Sequence, residues 1–332
     1  MDDPGSRGPG LSGALAAFRG FRTAQVGRTV FHRSRNLERV LGLGRVHLKF
    51  EGGNPTGSQK DRVAFRMAEA ALRRGCTSLT AGTCGNYGMA IAFAAKAAGL
   101  TALVFLPEGY HSRRVEEAAR LGAAVRKVAG DYEAAVAASR AAAGGSMFDA
   151  NPGGANTLPS LEAYGAIAQE IVEALGDAPA SIAVPVSNGT TLAGIYAGFV
   201  CLKEAGRSSR VPRMIAASSY RKNPIVKSLK QGSLFCLDLA PGEVRETSVN
   251  EPLINWHSFD GEEALHALYG SGGFAEYASD QDMVQYARLI QQAEGLNVLP
   301  ASTAALVALG KVWRAGALTE DDHVVVLTGR RF

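Results

Sequence analysis

Between Cys76 and Gly145, short apolar runs alternate with alanine-rich helical segments. "TSLTAG" leads into "NYGMAIAFAAKAAGL", "TALVFLP" into "SRRVEEAARLGA", and "AVRKVAG" into "DYEAAVAASRAAA". Strands alternating with helices at this spacing predict a parallel sheet covered by helices. A second series follows the turn-rich "DANPGGANTLPS": the helix "LEAYGAIAQEIVEALG", the strand "SIAVPV", a helix after "SNGTT", a strand at "RMIAASS" and a closing strand "HVVVLTG". The expected fold is therefore α/β, with two open twisted parallel-sheet lobes and a ligand cleft between them, where strand ends and loops converge.

Composition narrows the function classes. The 332 residues are 46% hydrophobic and 20% charged, ordinary for a globular chain of about two domains. Lys and Arg exceed Asp and Glu by only 35 to 31, and they are spread along the chain, so no nucleic-acid partner is expected. Cys76, Cys84, Cys201 and Cys236 are far apart, without a C-x-x-C or clustered histidines, so neither a disulfide framework nor a metal site is expected. Ala178 to Leu202 carries no charge, yet Pro185, Asn188, three glycines and the adjacent Thr190 and Thr191 suit a buried strand, loop and helix rather than a membrane span. The acidic start and the early Arg19 make residues 1–20 a frayed leader rather than a signal peptide. Lys222 to Gly273 reads mostly as loop around one helix near Glu262 to Leu268.

"EGGNPTGSQKDRVAFRMAEA" sets Lys60 where a turn becomes a helix, the end at which the helix dipole disfavours a cation. Two glycine-bearing turns accompany it, each between a strand and a helix. "TAGTCGNYG" enters a helix at Asn86, and "PVSNGTTLAGI" offers Ser187, Asn188, Gly189, Thr190 and Thr191. Such turns aim backbone N–H groups at an anion, although neither is a G-x-x-x-x-G-K-[ST] or G-x-G-x-x-G loop. An amine at a helix start, an anion-binding loop in each series and an Asn suit an aldehyde cofactor carrying a phosphate. Desolvation beside positive potential makes such a lysine both nucleophile and base.

These residues resemble the fold-type II pyridoxal-phosphate enzymes, the superfamily of tryptophan synthase beta and cysteine synthase, and look most like the threonine synthases. "KFEGGNPTGSQKDR" is similar to their K-x-E-x-x-N-P-T-G-S-F-K-D-R segment, "TCGNYG" to their S-x-G-N-x-G loop, "PVSNGTT" to their phosphate turn and "VVVLTG" to their last strand. The likeness runs from Phe21 to Arg330 in the same order. It implies pyridoxal 5'-phosphate bonded to Lys60, with Asn86 facing its phenolic oxygen, Ser187 to Thr191 holding its phosphate and Thr328 meeting its pyridine nitrogen. It also implies that Thr83, Cys84, Gly85 and Tyr87 line the substrate carboxylate pocket, with Asn151 and Tyr164 beside the substrate. The domains expected are 1–66 plus 151–332, holding the cofactor, and a smaller substrate-side 67–150.

The activity implied is a β- or γ-elimination or replacement on an amino acid, in a cytoplasmic homodimer. A serine or threonine dehydratase and a cysteine-synthase-type replacement enzyme are the alternatives, and a non-catalytic amino-acid-binding protein with this fold is a third. The sequence departs from the family at Gln59, where Phe is usual, and at Leu299, where Glu is common. No Lys or Arg occurs from Ala141 through Leu202, the stretch in which threonine synthases hold a substrate phosphate. Neutral donors at Asn151, Asn156, Ser160 and Tyr164 suit a dianion poorly in a low-dielectric site, and Arg113 and Arg114 are the cations that could compensate. O-phosphohomoserine is accordingly not the expected substrate.

Overall fold

The computed structural model describes residues 11–83, 85–110 and 112–332. In chain order the strands are β1 (Val30–Arg33), β2 (Arg45–Phe50), β3 (Ser78–Gly82), β4 (Thr101–Pro107), β5 (Ala124–Val128), β6 (Met147–Asp149), β7 (Ser181–Pro185), β8 (Arg213–Ser219), β9 (Phe274–Ala278) and β10 (Asp322–Leu327). The helices are α1 (Leu11–Gln25), α2 (Arg35–Leu41), α3 (Lys60–Arg73), α4 (Asn86–Ala97), α5 (Arg113–Arg120), α6 (Tyr132–Ala142), α7 (Thr157–Leu175), α8 (Thr190–Glu204), α9 (Pro224–Lys230), α10 (Gly261–Gly270), α11 (Asp280–Glu294) and α12 (Ala304–Arg314). Among the described residues no helix is long and apolar enough to cross a membrane.

Two compact units result. The smaller takes the described part of Met1–Val26 with Lys60–Asn151, and the larger takes Gly27–Gln59 with Pro152–Phe332. The smaller unit's sheet has the order β5-β4-β3-β6, all parallel. The larger unit's sheet has the order β1-β2-β10-β7-β8-β9, parallel except for β1. β3 and β7 are buried along their whole length, as strands covered on both faces must be, which is why they read as apolar runs without alternation. In the larger unit, residues of α2, α11 and α12 such as Leu37, Ile290 and Leu309 join Leu48 and Val325 of the sheet in one core.

Each sheet has a point where the direction of winding reverses. From β3 the chain moves outward to β4 and β5 and then returns to place β6 on the other side of β3. From β7 it moves to β8 and β9 and then returns to place β10 on the other side of β7. Such reversals leave a crevice at the carboxyl ends of the flanking strands, the usual ligand position in open parallel sheets.

Leu11–Gln25 form α1, which packs on α3: Phe18 is buried and stacked on Phe65 at 5.4 Å between ring centroids. Residues 1–10 lie outside the described residues. The buried Glu69 of α3 receives Arg19 Nε at 2.8 Å, Arg22 Nη1 at 2.5 Å and Arg73 Nη2 at 2.7 Å. These contacts draw α1 and the start of α3 into the smaller unit, whereas 1–66 was expected in the larger one.

Burial alone would raise the Glu69 carboxyl, but its hydrogen bonds to Arg73 and Arg19 and the charge of Arg22 outweigh it and hold the group below 4.5. A lowered folded value contributes stability that is present above the unfolded value and lost as pH falls through the folded one. Glu69→Gln should therefore cost about 2 kcal/mol near neutrality, less than a fully buried pair because the arginines are partly exposed. Thermal melts should show the variant several degrees lower at pH 7, with the gap closing in acid. An equal gap at both pH values would refute this account of α1.

Candidate active site

The carboxyl edge of the larger sheet is assembled by register. Leu327 of β10 pairs with Phe50 of β2, and Val325 with Ala183 of β7, so the three chains leave the sheet together. The chain after β2 is then pinned to the chain after β10. Gln59 N donates to Thr328 O at 2.9 Å, Ser58 bridges Gly329, and Arg330 N donates to Gly57 O at 2.9 Å. On the other side Leu299 N donates to Gly329 O at 2.9 Å. Buried Thr328 is thereby fixed, with Gln59 placing the peptide that leads into Lys60.

The polar residues of the first motif shape this turn. Glu51 is buried and accepts from Thr29 Oγ1 at 2.7 Å and Asn54 Nδ2 at 2.9 Å. Gly27 N donates to Asn54 Oδ1 at 2.9 Å, and buried Lys49 reaches Glu170 at 2.5 Å. A buried carboxylate without these donors would cost several kcal/mol, so the network holds the turn rather than ornamenting it.

Between β7 and α8, Gly189 occupies the N-cap with φ 91°, a backbone that L residues rarely adopt. A Cβ there would lie 2.7 Å from Asp260 O and 2.8 Å from Ala264 Cβ. Because the cap has no side chain, Gly189 itself offers no side-chain oxygen to the first N–H groups of α8, which have no intrahelical partner. By contrast α5, α6, α9 and α11 are capped by Ser112, Asp131, Asn223 and Ser279. The loop is backed by residues that sequence reading left unassigned. Asn223 Nδ2 and Ser258 Oγ donate to Ser187 O at 2.9 and 3.0 Å, and Asn255 Nδ2 donates to Asn188 Oδ1 at 3.2 Å. Asp260, 0% exposed, accepts from Thr190 Oγ1 and from Thr157 Oγ1, the latter at 2.7 Å. Only the turn-rich, polar composition of 222–273 hinted at this role.

The smaller unit repeats the arrangement. Gly85 caps α4 with φ 84°, again without a side chain, and Asn86 opens the helix. Thr83 is buried and its N–H bonds Phe105 O at 2.9 Å. Tyr87 OH donates to Ala150 O, and Lys60 Nζ lies 6.0 Å from the centre of the Tyr87 ring. Cys84, expected in the substrate pocket, lies outside the described residues. Asn151 is 0% exposed and its amide bonds Gly82 N at 2.7 Å, Ser139 Oγ at 3.0 Å and Asp149 Oδ1 at 2.6 Å, which holds the end of β3. Tyr164 is 1% exposed, and a Cβ at Gly194 of α8 would meet its Cβ at 2.7 Å, so it is a core residue where α7 meets α8.

Parallel sheets with glycine-capped helices at their reversal points and a lysine opening α3 define a class of cofactor-dependent α/β enzyme. Maize serine racemase has the same fold, with a TM-score of 0.77 at 17% identity over 96% of this chain and 94% of that one. Residues 22–329 match the family described as "Pyridoxal-phosphate dependent enzyme", and the chain belongs to it. It is 30% identical over 312 residues to a threonine synthase of Methanosarcina acetivorans, covering 92% of this chain and 75% of that one. Likewise it is 29% identical over 308 residues to a threonine synthase of Methanocaldococcus jannaschii, covering 91% and 74%. The protein is thus a pyridoxal-phosphate-dependent enzyme.

The residues present fit that group. The side-chain-free cap at Gly189, with its permitted approach to Asp260 and Ala264, leaves a cradle of backbone donors of the kind a phosphate requires. Gly189→Ala should therefore weaken pyridoxal phosphate uptake at least about tenfold, because the left-handed backbone and the close approach are both lost. Absorbance titration of the cofactor-free protein measures this, with circular dichroism as a control for folding; unchanged affinity would remove Gly189 from the cradle.

Proposed function

We propose that the chain carries out a β- or γ-elimination or replacement on an amino acid, in the manner of a threonine synthase, but on a substrate less charged than O-phosphohomoserine. When bound, pyridoxal phosphate supplies the electron sink that lets a bond at the substrate α-carbon break. Lys60 would hold the cofactor through its Nζ, and the same amine, when free, would take the substrate α-proton. Asn86 presents its amide to the ring oxygen, and Ser187 to Thr191 hold the phosphate. Thr83, Gly85 and Tyr87 receive the substrate carboxylate. Thr328 offers a neutral hydroxyl to the ring nitrogen, which leaves that nitrogen less protonated than a carboxylate would. This suits loss of a leaving group more than racemisation. We also read the protein as a cytoplasmic homodimer.

The observation that carries the substrate part is Asp260. Its buried carboxylate sits on the first turns of α7 and α8, through Thr157 and Thr190, in a stretch of chain that has no Lys or Arg from Ala141 through Leu202. Opposing a dianion with a carboxylate instead of a cation costs several kcal/mol. The expected result is a kcat/KM for O-phosphohomoserine at least about a hundredfold below that for an uncharged or singly activated serine or threonine derivative. Robust threonine formation from O-phosphohomoserine would reject the reading. Release of a keto acid from serine or threonine without an added nucleophile would favour the dehydratase alternative. Borohydride reduction followed by peptide mass spectrometry should leave a pyridoxyl group on Lys60 and nowhere else.

A further inference from the structure

The amide of Asn86 is held from behind by a buried cation. Arg114 in α5 is 7% exposed, and its Nε donates to Asn86 Oδ1 at 3.1 Å while its Nη1 donates to Glu117 Oε2 at 2.7 Å. The backbone beneath it is fixed as well, since Ser112 caps α5 by accepting Arg114 N at 3.2 Å. A guanidinium has five N–H donors and no acceptor, so only the oxygen of the Asn86 amide can face it. The Nδ2 group must then point the other way. Because Arg keeps its proton across the whole accessible pH range, this orientation does not switch.

We propose that Arg114 is a positioning residue for the reaction: it locks the Asn86 amide so that Nδ2, a donor, is the atom offered to the cofactor's ring oxygen. The inference rests on the reading of Asn86 as the residue facing that oxygen. Two consequences follow from the chemistry of the pair. Without Arg114 the amide can turn over, and its oxygen would then meet an oxygen of the cofactor. The bonded charge also polarises the amide and strengthens Nδ2–H as a donor, which favours the ionised form of the ring oxygen. Glu117 engages Nη1 and leaves Nε to Asn86.

The experiment compares the holoenzyme with Arg114→Met, Arg114→Lys, Asn86→Ala and the double variant Asn86→Ala/Arg114→Met, at one fixed pH. The first readout is the visible absorption band of the bound cofactor, which a merely structural residue would not move. Arg114→Met should shift the band in the same direction as Asn86→Ala, and Arg114→Lys, which keeps a charged donor, should restore it in part. The double variant should match Asn86→Ala alone, because Arg114 acts through Asn86. The kcat of Arg114→Met should fall roughly ten- to a hundredfold with KM within about threefold, as expected for a misoriented group rather than lost binding. If Asn86→Ala shifts the band and both Arg114 variants leave it unmoved, the inference is overturned and the reading of Asn86 stands. If Asn86→Ala itself leaves the band unmoved, the reading of Asn86 falls and the inference with it. Should Arg114→Met not fold, the Arg114→Lys band and kcat decide: a partial shift toward Asn86→Ala that disappears in the double variant Asn86→Ala/Arg114→Lys supports the inference, and an effect that is absent, or of equal size on both backgrounds, refutes it.

Discussion

The parallel pairing of β2 with β10 is the contact on which the larger unit's contribution to the site depends. It sets Phe50 beside Leu327, so the turn that ends at Gln59 and the strand that ends at Thr328 begin from one level of the sheet. A slip by one residue would turn every side chain of β2 to the opposite face and carry Leu48 out of the core. The backbone bond from Gln59 N to Thr328 O then closes the turn. The lysine follows one residue, about 3.8 Å of chain, beyond that bond. The buried ions Lys49 and Glu51, with the half-buried Glu170, make sense in this light: a charge buried with its partners adds little stability, but a conformation that strands one of them is heavily penalised. They select one shape of the turn.

A second constraint is how the chain treats the N-termini of its helices. A Ser, Asp or Asn side chain takes an early N–H group at α5, α6, α9 and α11. At α4 and α8, both at carboxyl ends beside a reversal in their sheets, the cap is a glycine in a positive-φ backbone, which has no side chain to offer those donors. With glycine as the cap residue the chain gives up only a few tenths of a kcal/mol at each. That cost falls on the two helices that carry Asn86 and Thr190.

Much of this was legible in the sequence, and the gaps have physical causes. β3, β4, β7, β8 and β10 coincide with apolar runs because strands buried on both faces need continuous apolar residues, whereas β5, "AVRKV" at a sheet edge, was legible from its place in the strand–helix alternation. β6 spans only Met147–Asp149, and β9, "FAEYA", sits at the sheet edge with mixed burial, so neither gives a run that periodicity can find. α1 was read as a leader from the acidic start and the early Arg19, because its anchors, Phe18 on Phe65 and Arg19 and Arg22 on Glu69, lie some 47 to 50 positions away. The site motifs were readable because glycine and lysine at a strand-to-helix turn carry their chemistry locally. Asp260 was not, since its surroundings are built from residues such as Thr157 and Thr190, distant in sequence. Polar type alone does not say whether a side chain faces a ligand or the protein.

Asp260 shows how far that distinction reaches. It stands at the N-cap position of α10, yet its carboxylate makes no capping bond there and instead accepts from Thr157 and Thr190, the first residues of α7 and α8. Three helix N-termini therefore converge on one carboxylate, and their dipoles are what stabilise it while buried. The same positive ends are then partly neutralised before any ligand arrives. The backbone donors of α8 still suit the phosphate of a tightly held cofactor, which gains from many contacts at once. A second phosphate, carried by a passing substrate, would meet a region that has hydroxyls and amides, an anion already in place and no cation from Ala141 through Leu202. Lack of positive charge weakens binding of such a group; a buried negative charge opposes it, and selectivity against a wrong ligand rests on opposition more than on lack.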